Sequence, residues 1–192
     1  MKTLLSTSAL ILGLTAAPLL AADWTLNADA SRLAFGSIKK NIIGEVHNFD
    51  GLSGSVNADG VAAIEIDLAS VETNIDIRNE RMAEHVFKFA PKAMITAQLD
   101  MEALSAMEVG QSEVMDVEAV LSLLGVETEF YTEVFVMRTS EKSVLVTSND
   151  MIFLTTEDLE IDEGVSKLQE LAELPGITRA APVTLRFVFE QS

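Results

Sequence analysis

The sequence contains no cysteine. It therefore offers no disulfide, no thiolate metal site and no lipidated cysteine, and the fold must hold by packing and hydrogen bonds. Histidine is nearly absent too: His47 and His85 are the only two, and no His-x-x-x-His spacing links them. A zinc site needs more donors than that. No Gly-x-Ser-x-Gly elbow, phosphate-binding loop or dinucleotide fingerprint occurs, so no cofactor is expected. Positive charge is scarce, with 13 Lys and Arg against 30 Asp and Glu, a net charge of −17. That balance opposes nucleic acid, which needs a basic face, and opposes docking on anionic lipid headgroups. It favours solubility in the presence of exposed apolar surface, while service to a cationic partner is the alternative reading.

The one long apolar stretch is N-terminal. Lys2 precedes an apolar core at 4–14, and Pro18-Leu19-Leu20-Ala21-Ala22 resembles a cleavage region. Such a segment is short for a membrane span and reads as a signal peptide, residues 1–22, with a retained anchor as the alternative. Export to the periplasm is the expected route. Its removal takes away one cation, Lys2, and leaves a domain at 23–192 with a net charge of −18. No stable membrane insertion of that domain is expected.

What remains is rich in strict alternation. Leu33 and Phe35 share a face in a strand at 31–35. The stretch 44–56 carries glycines at 44, 51 and 54 among strand residues, which mark bends or close backbone approach. An Asp-Gly turn at 57–60 leads into 61–68, where Ile64, Ile66 and Leu68 alternate with Glu65 and Asp67. Further alternating runs lie at 94–101, 112–124, 126–137, 144–147, 151–155 and 182–191. The last places Val183, Leu185, Phe187 and Phe189 on one face. Two segments break the pattern. Good helix formers at 79–89 put Met82 and Val86 on one stripe with Phe89 near it, and 165–172 is helical up to Pro175-Gly176. This is a mainly β chain of about eight strands, without regular βα alternation. An antiparallel barrel or sandwich follows, and closure into a barrel removes the exposed edges.

Few residues suggest chemistry. Paired acids such as Glu127/Glu129 and Asp158/Glu160 read as solvated faces, since two carboxylates make a glycosidase only across a cleft of controlled width. Arg78 and Arg81, in the connection 70–99, either hold a ligand's polar head or pair with nearby acids and tie down the helix. An enzyme built on His47 or His85 needs a polar pocket around a histidine. A barrel of this size holds either its own side chains or one apolar ligand, and periodicity alone does not choose.

Several stretches, taken in order, resemble the YceI family of bacterial lipocalin-like proteins. They are Ser31-Arg32-Leu33-Ala34-Phe35, the run from Gly44 through Phe49 to Gly51, Ser70-Val71-Glu72-Thr73, Ile77-Arg78-Asn79-Glu80-Arg81-Met82 with Phe87 and Pro91, and Leu121-Ser122-Leu123-Leu124-Gly125-Val126. The resemblance spans nearly all of 23–192. It departs at Leu124, where many members carry a polar or basic residue, and at 157–180, whose helix resembles only part of the family. It implies an antiparallel eight-stranded lipocalin-like β-barrel with one or two short capping helices. It also implies non-catalytic binding of a long isoprenoid lipid or quinone. Combined with the alternating faces, it makes Phe35, Phe49, Ile64, Ile66, Ile95, Leu99, Val117, Leu121, Phe187 and Phe189 candidate lining residues and Arg78 a candidate at the pocket mouth. A non-catalytic protein-interaction module with a side-chain-filled barrel is the competing reading. Whether the chain forms a homodimer is left open by the sequence.

Overall fold

In the computed structural model, which describes residues 24–191, the alternating runs become strands. In chain order these are β1 (Trp24–Leu26), β2 (Arg32–Lys39), β3 (Ile43–Phe49), β4 (Leu52–Val56), β5 (Val61–Asp67) and β6 (Val71–Glu72). After the central connection come β7 (Lys92–Gln98), β8 (Ser112–Leu123), β9 (Val126–Ser140), β10 (Ser143–Ser148), β11 (Ile152–Thr155) and β12 (Ala180–Gln191). The segment expected to be a signal peptide lies outside the described residues.

The register reduces these strands to eight staves. One edge of β12 is held by β1 at residues 189–191 and by β2 at 183–186. Its other edge is held by β10 at 186–190 and by β11 at 180–183. Thus β1 and β2 form one interrupted stave, and so do β10 and β11. The same holds for β3 with β4 and for β5 with β6, since β3 pairs with β2 and β6 while β4 pairs with β1 and β5. Neighbouring staves are consecutive in sequence and antiparallel, and β1 and β2 meet β12 to close the ring. The protein is a closed antiparallel eight-stranded barrel, as expected. The stretch 44–56 is not continuous: Gly51 separates β3 from β4. Its amide donates to Ser70 Oγ at 2.8 Å, and that hydroxyl donates to the carbonyl of Asp67 at 2.6 Å. A Cβ on Gly51 would stand 2.8 Å from Asp67 Cβ, so the breaks in two adjacent staves interlock only with glycine there.

Helices differ from expectation in detail. The one expected at 79–89 is α1 (Asp76–Arg81), followed by a π turn at Met82–Val86. After the wider turn, Lys88 and Phe89 are left-handed, with φ of 51° and 55°. This turns Phe87 inward and leaves Phe89 73% exposed. A helix at 101–106, α2 (Met101–Ala106), was not indicated by its apolar residues, which continue the alternation of β7. Its signal is Asp100, whose carboxylate accepts from the amides of Glu102 and Ala103. The last helix, α3 (Asp162–Leu171), begins three residues before the expected 165.

Packing divides the barrel along its axis. At one end Met107, Val134 and Val136 are buried with Met115, Val117 and Val144 against them. Beside them Leu26, Val56, Ala62, Ile64, Phe187 and Phe189 fill the interior, the last two rings meeting edge to face at 6.4 Å. At the other end the interior is covered by α1, the π turn and α3. Gly164 of α3 seats directly on the π turn, where a Cβ would lie 2.3 Å from the carbonyl oxygen of His85. Arg81 reaches across to the carbonyl of Leu171 at 3.3 Å. We therefore expect Gly164→Ala to push the two helical segments apart and lower stability by about 1–3 kcal/mol. Urea denaturation measures this directly, and an unchanged midpoint contradicts the contact.

Candidate functional site

The covered end of the barrel encloses a cavity of about 520 Å³, within the range of small-molecule sites. Its wall comes from one segment of each interrupted stave, with β5 giving Ile66. β2 gives Leu33, Phe35, Ser37 and Lys39; β3 gives Glu45, His47 and Phe49; β11 gives Ile152 and Leu154. Uninterrupted strands give Ala93 and Ile95, Leu121 and Leu123, Phe130, and Val183 and Leu185, while Met82, Val86 and Phe87 descend from the π turn and Val165 and Leu168 from α3. The companion segments β1, β4 and β10 contribute nothing to it and belong to the filled end.

Of the residues expected to line a pocket, Phe35, Phe49, Ile66, Ile95 and Leu121 do so, and Arg78 lies beside them. Ile64, Leu99, Val117, Phe187 and Phe189 do not border the cavity. Ile64, Phe187 and Phe189 are buried in the filled end, Val117 packs beside Val134, and Leu99 packs against the main core beyond the end of β7. Period-two alternation assigns a face and says nothing of depth along the barrel. The α3 contribution and the polar residues of β2 and β3 were missed as lining. The signal for the latter was available: Lys39, Ser37, Glu45 and His47 alternate in phase with Leu33, Phe35 and Phe49.

That phase produces a gradient along one ribbon. Cross-strand pairs run from Leu33 with Phe49, through Phe35 with His47, to Ser37 with Glu45. The apolar end is an aromatic wall, with Phe35 and Phe49 ring centres 5.5 Å apart and Phe49 and Phe87 5.9 Å apart. The polar end is an ion cluster. Glu45 accepts from Lys39 Nζ and from Arg78 Nη1, each at 2.7 Å, and Arg78 Nη2 donates to the carbonyl of Thr73 at 2.6 Å. Thr73 is itself buried, donating to Asn79 Oδ1 at 2.5 Å. The Ser70-Val71-Glu72-Thr73 stretch is thus structural and sets where Arg78 stands. Burial pulls the Glu45 carboxyl upward, but the Lys39 and Arg78 hydrogen bonds and charges outweigh it and hold it below the usual carboxylate range.

His47 sits between the two ends, 4% exposed, with its ring 5.2 Å from Phe35 and Nε2 3.0 Å from Ser37 Oγ. Burial first, then the Arg78 charge, drives its pKa down to about 4. The ring is neutral at neutral pH. Its Nδ1 and the Nε of Arg78 are buried without a hydrogen-bond partner among the described residues. A serine beside a histidine is two-thirds of a hydrolytic triad, yet no carboxylate accepts from Nδ1 to orient the ring. His85 lies elsewhere, 3.9 Å from Glu84. Among the described residues no three His, Cys, Asp or Glu side chains gather as a metal site.

Comparison with known proteins accords with this geometry. The family described as the YceI-like domain matches residues 24–171. A solved structure from Saccharophagus degradans, described as a polyisoprenoid binding domain implicated in plant cell wall breakdown, is 35% identical. It superposes with a TM-score of 0.87 over 90% of this chain and 99% of that one. BcnA from Burkholderia cenocepacia is 17% identical, with a TM-score of 0.64 over 85% of this chain and 98% of that one, and so shares the fold. No curated protein matches the sequence significantly.

The buried neutral imidazole has a consequence for stability. Between pH 6.5 and about 4 the unfolded chain protonates His47 and the folded chain does not, so stability falls as pH falls. The loss across that window is about 3 kcal/mol. Glu45 acts in the same direction, its contribution being lost as pH drops through its lowered folded value. His47→Phe is expected to remove the imidazole share and flatten the decline, as read by urea denaturation at a series of pH values. Parallel profiles for the two proteins contradict the assignment.

Proposed function

The chain belongs to the YceI-like domain family, and we propose that it binds a long apolar amphiphile, an isoprenoid lipid or isoprenoid quinone, inside its barrel without catalysing a reaction. The observation that carries this reading is the half-open interior. One end of the barrel is filled by its own side chains, and the other holds the cavity under two helical covers. Branched and aromatic side chains dominate that cavity, and each methylene it takes from water is worth about 0.8 kcal/mol. The 35% identical neighbour carries the description of a polyisoprenoid binding domain, which supports the same chemical class here.

The gradient along β2 and β3 orients the cargo. The tail lies toward Leu33, Phe49 and Phe87, and the head toward Ser37, Glu45, His47 and Arg78. Oxygen acceptors on the head suit the two unpartnered donors, the guanidinium Nε–H of Arg78 and the Nδ1–H that His47 carries when Ser37 donates to Nε2. The export signal read at 1–22 supports a periplasmic setting for this activity. A side-chain-filled barrel acting only as an interaction module is the weaker reading, because the filled half stops short of Ile95 and Leu121.

Ile95 borders the cavity from β7 and is only partly covered by protein, so a larger side chain can grow into the space. We expect Ile95→Trp to keep the fold and to weaken binding of a fluorescent polyprenyl probe by about tenfold or more, a loss of about 1.4 kcal/mol. Phe187→Leu, in the filled end, is expected to leave probe affinity within about threefold while lowering stability. Equal affinity for wild type and Ile95→Trp contradicts the cargo site.

A further inference from the structure

Exposed apolar side chains are unevenly spread over this molecule. Among the described residues thirteen large ones are exposed, and six of them fall on two short segments, at 38–46 and 75–77. Ile38, Ile42, Ile43 and Val46 belong to the end of the β2–β3 hairpin, where Ile42 is 84% exposed at the turn. Ile75 and Ile77 flank the start of α1. The two segments are joined by the Arg78–Glu45 ion pair. They also form the edge of the cavity, since Lys39, Lys40, Ile75 and Ile77 both border it and stand at its outer rim. A cluster of this kind marks an interaction surface rather than scattered surface apolarity.

We infer that this rim is a docking surface for a lipid bilayer, with the β2–β3 turn entering the interface and the mouth of the cavity facing the lipid. The chemistry of the rim chooses this occupant. Its apolar groups are aliphatic, four on the β2–β3 hairpin and two at the start of α1, and together they offer an acyl boundary a contiguous apolar rim around the cavity mouth. Lys40 stands two residues before Ile42 and is exposed, so its ammonium group can reach a phosphate while the isoleucine enters the acyl boundary; Lys39 is held by Glu45. Lys39, Lys40, Arg78 and Arg81 all border this one cavity, where Glu45 pairs with Lys39 and Arg78 and offsets one of the four charges. Asp76 and Glu80 are the exposed acids on α1 beside them. Two of the exposed apolar groups elsewhere sit among carboxylates: Tyr131 donates to Glu118, and Val114 lies between Glu113 and Asp116 on the same strand. The strong net negative charge thus repels an anionic bilayer in most orientations and leaves the rim as the face that approaches. Two readings meet here. Docking deepens the cargo proposal and rests on it for its purpose, because a bilayer is where an isoprenoid is taken up or given away. The open edge of β3 at 43–47 could instead add a strand from another chain, and the test separates that outcome.

The test uses vesicles of phosphatidylethanolamine and phosphatidylglycerol, with co-flotation as the readout. Wild type is expected to float with the vesicles. Ile42→Asp, at a residue that does not border the cavity, is expected to reduce the bound fraction by about tenfold. Phe153→Asp, at an equally apolar exposed residue on β11, is expected to leave it unchanged. Absence of wild-type flotation, or equal loss in the two variants, overturns the docking surface. So does an Ile42-dependent dimer or soluble protein complex that forms without vesicle binding. The same proteins are titrated with a detergent-solubilised polyprenyl probe. Probe binding without flotation removes the docking proposal alone, whereas failure of the probe to bind removes the cargo reading on which its purpose rests.

Discussion

Everything in this molecule depends on β12 holding two partners on each edge. Its last residues pair with β1 and β10, and its first residues pair with β2 and β11. The first pair closes the filled end of the barrel and the second closes the end that contains the cavity. Without a cysteine anywhere in the chain, this ladder is what joins the first stave to the last. Because closure pairs most of the strand edges, the interior is free to be shaped by side-chain volume rather than by the need to cover an open sheet.

Interruption of the staves then converts a closed barrel into a container. An eight-stranded barrel has an interior with room for its own side chains or for one small ligand. Here four staves break near the same level, at 27–31, 50–51, 68–70 and 149–151. Beyond the breaks the wall residues no longer meet across the axis, and the covering helices complete the enclosure. The interlock of Gly51 with Ser70 and Asp67 fixes two of these breaks against each other. The contact of Gly164 with the π turn fixes the cover. Small residues at close approaches therefore do more for the cavity's shape than the apolar residues that line it.

The sequence showed the barrel clearly and the cavity only in outline. Alternation in 61–68, 112–124 and 182–191 matches the inward faces of β5, β8 and β12, because a half-buried strand writes its pleat directly into residue order. Depth leaves no such trace. Phe187 and Leu185 share a face of β12, yet Leu185 borders the cavity and Phe187 packs below it. Only contacts with distant staves decide the difference. Polar residues were hard for a related reason. Ser37, Glu45 and His47 are in phase with the apolar wall, and inward polar residues contradict the pattern by which a core is recognised. Such local conflicts are where function is expected. The helix α2 was hidden because its apolar residues continue the alternation of the strand before it, and only the Asp100 cap announces a change.

We propose that the upper half of the barrel carries an isoprenoid amphiphile. Native mass spectrometry of the protein purified from its own source, followed by organic extraction and identification of what is released, tests this. The expected result is a stoichiometric adduct that dissociates as a polyprenyl compound with an oxygen-bearing head. A bare protein mass, together with no uptake of polyprenyl lipids added in excess, contradicts it.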